Sequence, residues 1–403
     1  MNQEGISSIV RHGLCSGYGM CEAVVGSSEI QMLISSEGYL RPETIGPLTE
    51  TDVADVRAVC PGIRLEHSRA VKNYHPIWGP IQTVRTGFAT DAAVRREGSS
   101  GGVISALAIY LLESKQVAFV AQIAASASNP LSNELQLSRT RDDVIRAAGS
   151  RYGPAAPLAR FGELLDHGEP FALIGKPCDV AAVRQLSLRD ARVDRQVRFL
   201  ISFMCAGIPS EKGARAILAH LGVAADDVTS FRYRGDGWPG KARAVTRNGQ
   251  SHERDYATSW GTILNRHLQF RCKICPDGTG EFADVVGADA WYGKDGYPDF
   301  EEREGRSLVL GRTALGEQLI REAVQAGAID VSPLPIDDIN LMQPYQRQRK
   351  CTVLGRIIGM RLRRGVAPSY RRLGLVRASL AAGPIDWLRN AWGTFKRARG
   401  ENP

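Results

Sequence analysis

Two stretches of this chain share one local pattern, and that pattern constrains the fold more than any other feature. Phe171 to Ile174 is a short apolar run followed by Gly175-Lys176-Pro177-Cys178 and then a helical pattern from Asp179 to Leu186. Phe199 to Phe203 is a second such run, followed by Met204-Cys205-Ala206-Gly207 and a helical pattern from Glu211 to Leu221. A strand, a small-residue turn and a helix in series predict an α/β fold with a mixed, largely parallel sheet. Val117 to Ile123 adds a β-branched strand, and Val103 to Leu112 an apolar helix. In such a sheet ligands bind at the carboxyl ends of the strands, which is where Cys178 and Cys205 fall.

Three regions follow from composition. Residues 1–80 form a small, loop-rich cysteine region, residues 81–340 the α/β core, and residues 341–403 a basic helical tail. The 403 residues carry a formal charge of +8, but the tail alone has 14 basic and 2 acidic residues. The body is therefore slightly acidic, and a nucleic-acid reading of the whole chain loses its support. No run approaches the roughly 18 apolar residues of a membrane span, and the start lacks a secretory apolar core, so a cytoplasmic protein is expected. Eight cysteines in a reducing compartment point to metal binding or redox chemistry rather than disulfides.

Cys272-Lys273-Ile274-Cys275 supplies a Cys-x-x-Cys pair. With Cys178 and Cys205 it makes four thiols, the number that a [4Fe–4S] cluster or a structural zinc requires. Near the start, Cys15 and Cys21 fit the first and third positions of the C-x2-C-x2-C-x3-C-P ferredoxin run, but Tyr18 and Val25 occupy the second and fourth. Cys60 adds a third thiol from a distance. This set reads as a degenerate ferredoxin-like loop kept for structure, with Cys15, Cys21 and Cys60 as the ligands of a second site if there is one.

Ser99-Ser100-Gly101-Gly102 opens the Val103 helix, where backbone N–H groups meet an anion readily. It is neither G-x-G-x-x-G nor a Walker A loop. Gly149-Ser150-Arg151-Tyr152-Gly153 is a second small turn carrying a cation. The loop from Phe231 to Lys241, with Trp238 and Lys241, suits a planar anionic ligand or a solvated turn. Asp284 and Asp289 flank an apolar strand, to orient a ligand or to cap turns. The seven histidines form no H-E-x-x-H pair and G-x-S-x-G is absent, so hydrolase readings find no support.

In order along the chain, Gly98-Ser99-Ser100-Gly101-Gly102, Gly175-Lys176-Pro177-Cys178, Phe203 to Ser210, Tyr233 to Trp238, and Cys272 to Asp284 form a series. It resembles the beta subunit family of coenzyme F-420 (deazaflavin) hydrogenases and dehydrogenases over roughly residues 10 to 350. The resemblance implies an oxidoreductase with FAD and one [4Fe–4S] cluster, the flavin exchanging hydride with coenzyme F-420 and the cluster passing electrons to a partner protein. It implies Cys178, Cys205, Cys272 and Cys275 as cluster ligands, and the Ser99–Gly102 and Ser150–Tyr152 turns as flavin contacts. The alternatives are an electron-transfer adaptor without its own substrate and a structural-zinc scaffold. The tail, where Ile357, Ile358, Met360 and Leu362 and then Trp387, Leu388, Trp392 and Phe395 alternate with arginines, suits an anionic membrane surface, a partner groove, or docking on its own domain.

Overall fold

The computed structural model describes residues 5–294 and 297–398. Residues 1–4 and 399–403, at the outer ends of the two terminal regions, lie outside the described residues. Eight strands form the main sheet: β1 (Thr83–Ala89), β2 (Phe119–Ala125), β3 (Asn133–Ser138), β4 (Phe171–Gly175), β5 (Val197–Phe203), β6 (Val285–Asp289), β7 (Ser307–Gly311) and β8 (Ile329–Pro333). Their spatial order is β8-β1-β7-β6-β5-β4-β2-β3.

The expected strands and helices form, but the sheet is not largely parallel. The pairs β2–β4, β4–β5 and β5–β6 are parallel. The four outer pairs, β2–β3, β6–β7, β7–β1 and β1–β8, are antiparallel. The physical reason is visible in the connections. Parallel neighbours need a helical crossover, whereas the few residues between β2 and β3 can only turn back as a hairpin. The sequence pattern exposed the crossover units and left the flanking strands unread.

Alternation along each central strand sends successive side chains to opposite faces. Phe119, Ala121, Phe171, Leu173, Leu200 and Val286 enter one apolar cluster, while Val120, Ala172, Ile174, Phe199, Ile201 and Val285 enter another. With both faces covered, these strands read as continuous apolar runs.

Ten helices concern the argument. The first three are α1 (Gly5–Arg11), α2 (Met20–Val25) and α3 (Glu50–Val59). The core contributes α4 (Val103–Glu113), α5 (Pro177–Ser187), α6 (Glu211–Leu221) and α7 (Phe270–Lys273). The tail contributes α8 (Pro344–Arg364), α9 (Leu375–Ser379) and α10 (Pro384–Arg397). Ile6, Ile9, Met20, Val56, Val59 and Trp78 of the first 80 residues pack in the same cluster as Phe171 and Leu173. The N-terminal region therefore shares the core of the sheet.

The tail also docks on the body. Val353, Leu373 and Leu375 bury against Leu65 and Ala181. A buried carboxylate joins the three regions. Glu281 Oε2 lies 3.0 Å from His67 Nε2 and accepts from the Tyr74 hydroxyl at 2.7 Å, while its Oε1 accepts from Lys350 Nζ. No helix among the described residues is long and apolar enough to cross a membrane.

Candidate functional site

A cavity of about 1040 Å³ opens at the carboxyl ends of β4, β5 and β6. Gly175 and Lys176, Phe203 to Cys205, and Gly287 to Asp289 line it from those strands. This is the crevice where an open α/β sheet binds its ligands.

The start of α4 forms one wall, with Ser99, Ser100 and Gly102 to Ser105 lining the cavity. Gly102 holds φ at 73°, and no side chain caps the helix. The first backbone N–H groups of a helix lack intrahelical acceptors, and the helix dipole adds positive potential there. A Cβ on Gly102 would fall 2.7 Å from the Val94 carbonyl, so the turn excludes any side chain at that position. The two serine hydroxyls, by contrast, are spent inside the protein. Ser99 Oγ accepts from the Ser150 amide, and Ser100 Oγ donates to the carbonyls of Ala288 and Arg306. Gly101 does not line the cavity; its amide donates to Ser307 Oγ at 2.9 Å.

Ser150, Arg151 and Tyr152 line the adjoining wall, joined to the first through the Ser150 amide and Ser99 Oγ. The Arg151 guanidinium is not available to an anion. It donates to Asn133 Oδ1 and to the carbonyls of Phe231, Pro130 and Ser132. Tyr152 packs at 4.7 Å against Trp260, also a lining residue. Trp260 lies in a π-helical turn over Ala257–Ile263, whose spacing matches neither the helical nor the strand period read from sequence.

Trp238 and Lys241 are corrections. Neither lines the cavity. Trp238 is buried, stacks on Trp291 at 4.9 Å and donates from Nε1 to Asp289 Oδ1 at 2.7 Å. Asp289 also receives the fork of Arg234 at 2.8 and 2.6 Å. Trp238 therefore supports Asp289 from behind the wall, while Arg234 of the same loop lines the cavity. Lys241 is exposed and pairs with Glu253. Asp284 accepts from the Leu200 amide, Arg184 and Thr313, which makes it a structural tie.

Of the four middle thiols, Cys205 lines the cavity, and Cys178 and Cys272 adjoin its lining residues Lys176 and Ile208. Pro177 starts α5, Asp179 Oδ2 accepts from the Lys176 amide, and this cap presents Cys178 in the first turn. The Cys205 amide donates to the Gly278 carbonyl at 2.8 Å. The Ile208 amide donates to Cys272 Sγ at 3.3 Å, and Cys275 Sγ donates to the Asp277 carbonyl at 3.2 Å. Cys178 feels the charge of Cys205 and Cys275, Cys205 that of Cys272 and Cys275, and Cys272 that of Cys275. Burial pushes the Cys178 thiol well above its ordinary value and Cys205 up to about 12, with Arg349 opposing the rise at Cys205. Among the described residues, no three His, Cys, Asp or Glu side chains are grouped to hold a single metal ion.

The N-terminal thiols also come together. Cys15 and Cys60 are buried, Cys21 is half-buried, and Tyr18 sits among all three with its hydroxyl bonded to Cys60.

Sequence reasoning missed the tail. Gln343 to Gln348, Cys351 and Thr352 line the cavity, as do Ala381 to Gly383 and Asp386. Arg349 donates to the carbonyls of Cys205 and Cys272, Gln346 to that of Cys205, Arg356 to that of Lys273 and Lys350 to that of Pro276. One signal was present: Gly355 and Gly359, four apart on one helix face. A Cβ at Gly355 would fall 2.9 Å from the Trp387 carbonyl, and Gly359 abuts the Ala391 carbonyl, so these two glycines let α10 lie directly on α8.

The fold and site define an α/β protein with a cavity at the carboxyl ends of its parallel strands, lined in part by Cys205. The chain belongs to the coenzyme F420 hydrogenase/dehydrogenase beta subunit family, whose N-terminal model matches residues 84–161 and whose C-terminal model matches residues 168–336. It is 28% identical over 283 residues to a coenzyme F420 hydrogenase subunit beta of Methanococcus voltae, covering 68% of this chain and 92% of that protein. It is 26% identical over 245 residues to a coenzyme F420-dependent sulfite reductase of Methanocaldococcus jannaschii, covering 57% of this chain and 35% of that protein. A chain in the structure of the F420-reducing [NiFe] hydrogenase complex from Methanosarcina barkeri shares the fold with a TM-score of 0.56 at 22% identity, covering 70% of this chain and 93% of that one.

Proposed function

We propose that this chain is a flavin-dependent iron–sulfur oxidoreductase subunit, with FAD in the strand-end cavity and one [4Fe–4S] cluster on Cys178, Cys205, Cys272 and Cys275. A deazaflavin of the coenzyme F420 type is the proposed hydride partner, and a second protein the proposed electron partner. One observation carries the reading: Cys205 lines the cavity, and Arg349 bridges its backbone carbonyl to that of Cys272. A two-electron site and a one-electron relay would then be neighbours. Bound flavin would supply the conversion between hydride and single-electron transfer, while the protein supplies position and electrostatics.

The chain's own residues have distinct tasks in this reading. The uncapped start of α4 favours an anionic group of the flavin. Tyr152 and Trp260 give an apolar wall for a planar ring. Lys176, whose Nζ lies 2.9 Å from Asp179 Oδ2, keeps a paired cation at the cavity edge. The buried guanidinium of Arg349 stabilises negative charge on the thiolates, which must lose their protons to bind metal.

Four thiolates suit a [4Fe–4S] cluster or a structural zinc, and quantifying the bound metal distinguishes the two. For Cys15, Cys21 and Cys60 a structural role is proposed, because Tyr18 stands among them.

The test is anaerobic purification with flavin, iron, sulfide and zinc quantified on one sample. About four irons per chain with flavin are expected, the content of one cubane cluster. Cys272→Ser is expected to abolish iron binding, and Cys351→Ser to leave iron content unchanged. Zinc without flavin, or equal iron loss in both variants, overturns the proposal.

A further inference from the structure

The tail packs against the body through part of its surface and leaves the rest uncovered. On α10, Ile385, Leu388, Arg389, Trp392 and Lys396 fall at i, i+3, i+4, i+7 and i+11, which places them on one helical face. That face is turned away from α8, which α10 meets through Trp387 and Ala391. Its apolar members are large and open to solvent: Ile385 is 79% exposed, Leu388 61% and Trp392 58%. Leu380, on the turn leading into α10, is 81% exposed, and Leu362 near the end of α8 is 73% exposed. Burial of these groups is the main driving force available to this surface, and they are concentrated in one short segment.

Charge selects the occupant. The tail's net of +12 contrasts with a body that is net acidic. Some tail cations are committed internally, as Arg349, Lys350 and Arg356 are. Arg361, Arg363, Arg377, Arg389, Lys396 and Arg397 are exposed around the apolar side chains. An interfacial helix combines Trp and Leu on one face with Lys and Arg beside them, and its binding adds apolar burial to attraction for anionic lipids. The acidic body would be repelled from the same surface, which fixes the orientation of the molecule.

Going beyond the redox reading, we propose that the α8–α10 tail docks this protein on an anionic membrane surface, with Ile385, Leu388 and Trp392 entering the headgroup boundary and the surrounding cations facing lipid phosphates. The contact is peripheral. Because Ala381 to Gly383 and Asp386 line the cavity, docking brings that rim of the cavity to the membrane surface.

The test uses the full chain in vesicle sedimentation, with phosphatidylcholine alone and with an equal mixture of phosphatidylcholine and phosphatidylglycerol. Binding to the mixed vesicles only, weakening as salt rises, is expected. The double variant Leu388→Glu/Trp392→Glu should lose partitioning by on the order of tenfold or more, because it places charge in the apolar contact. Arg389→Glu/Lys396→Glu, which keeps every apolar side chain, should lose binding and most of the salt dependence. Equal binding to both vesicle types, or unchanged binding by both variants, overturns the proposal. So does a wild-type dimer that Leu388→Glu/Trp392→Glu converts to monomer while neither protein binds vesicles, since the face would then join two copies of the chain.

Discussion

The guanidinium of Arg349 donates to the backbone carbonyl of Cys272 at 2.7 Å, and its other terminal nitrogen donates to that of Cys205 at 2.8 Å. One tail residue thus bridges two thiol-bearing loops that lie more than sixty positions apart in sequence. It also places a buried positive charge where thiolates would form. Arg349→Ala is expected to remove the charged donor from both carbonyls, while Gln346 still donates to that of Cys205 and the Cys275 amide to that of Cys272, so the cost is about 1–3 kcal/mol in all. Iron retained after anaerobic gel filtration should fall well below wild type, and Arg349→Lys should recover part of it. Arg361→Ala, an exposed change on the same helix, serves as the control. Wild-type iron retention in Arg349→Ala would show that the bridge is dispensable.

Glu281 makes an acid-stability prediction. Burial alone would raise its pKa, but the charge of Lys350 and the hydrogen bonds from His67 and Lys350 outweigh burial and hold the carboxyl at about 2. A carboxylate depressed below its ordinary 4.5 contributes stability above that value and loses it as pH falls toward about 2. Glu281→Gln should therefore cost about 3–5 kcal/mol near neutrality, the usual penalty for breaking a buried ion pair. The gap between wild type and variant should narrow between pH 4.5 and about 2. Urea titrations across that range would measure it, and a constant gap would remove Glu281 as its source.

Gly102 makes a binding prediction. Gly102→Ala places a Cβ at a left-handed residue, at a cost of roughly 1–2 kcal/mol, and drives it toward the Val94 carbonyl. The start of α4 should shift, and the dissociation constant of FAD from flavin-stripped protein should rise about tenfold, as 1.4 kcal/mol implies. Lys241→Ala should leave that constant unchanged, because Lys241 stands outside the cavity on Glu253. Calorimetric titration of both variants distinguishes them; an equal effect would place the flavin elsewhere.

What could be read from the sequence was what local periodicity carries. Phe171 to Cys178 and Phe199 to Cys205 announce strand, turn and helix within a dozen residues, and they delivered the two thiols to the correct strand ends. The pairing of β7 with β1 joins residues more than 200 positions apart, so no local pattern announces it. Side-chain type proved a poor guide where the backbone competes for it. Arg151 lines the cavity, yet carbonyls of neighbouring loops take up its donors. The tail's basic amphipathic character was evident, while its grip on the thiol loops was not, because arginines that hold buried carbonyls look the same in sequence as arginines facing water.

The ion pair between Glu281 and Lys350 also dictates an order of events. Glu281 leaves the ribosome long before Lys350, and in the interval the carboxylate has no ammonium partner for its buried position. The loop bearing Cys272 and Cys275 gains its contacts from Arg349, Lys350 and Arg356 only once α8 is made. A chain ended before α8 would keep Cys178, Cys205, Cys272 and Cys275 but lack the Arg349 and Lys350 contacts that tie their loops together.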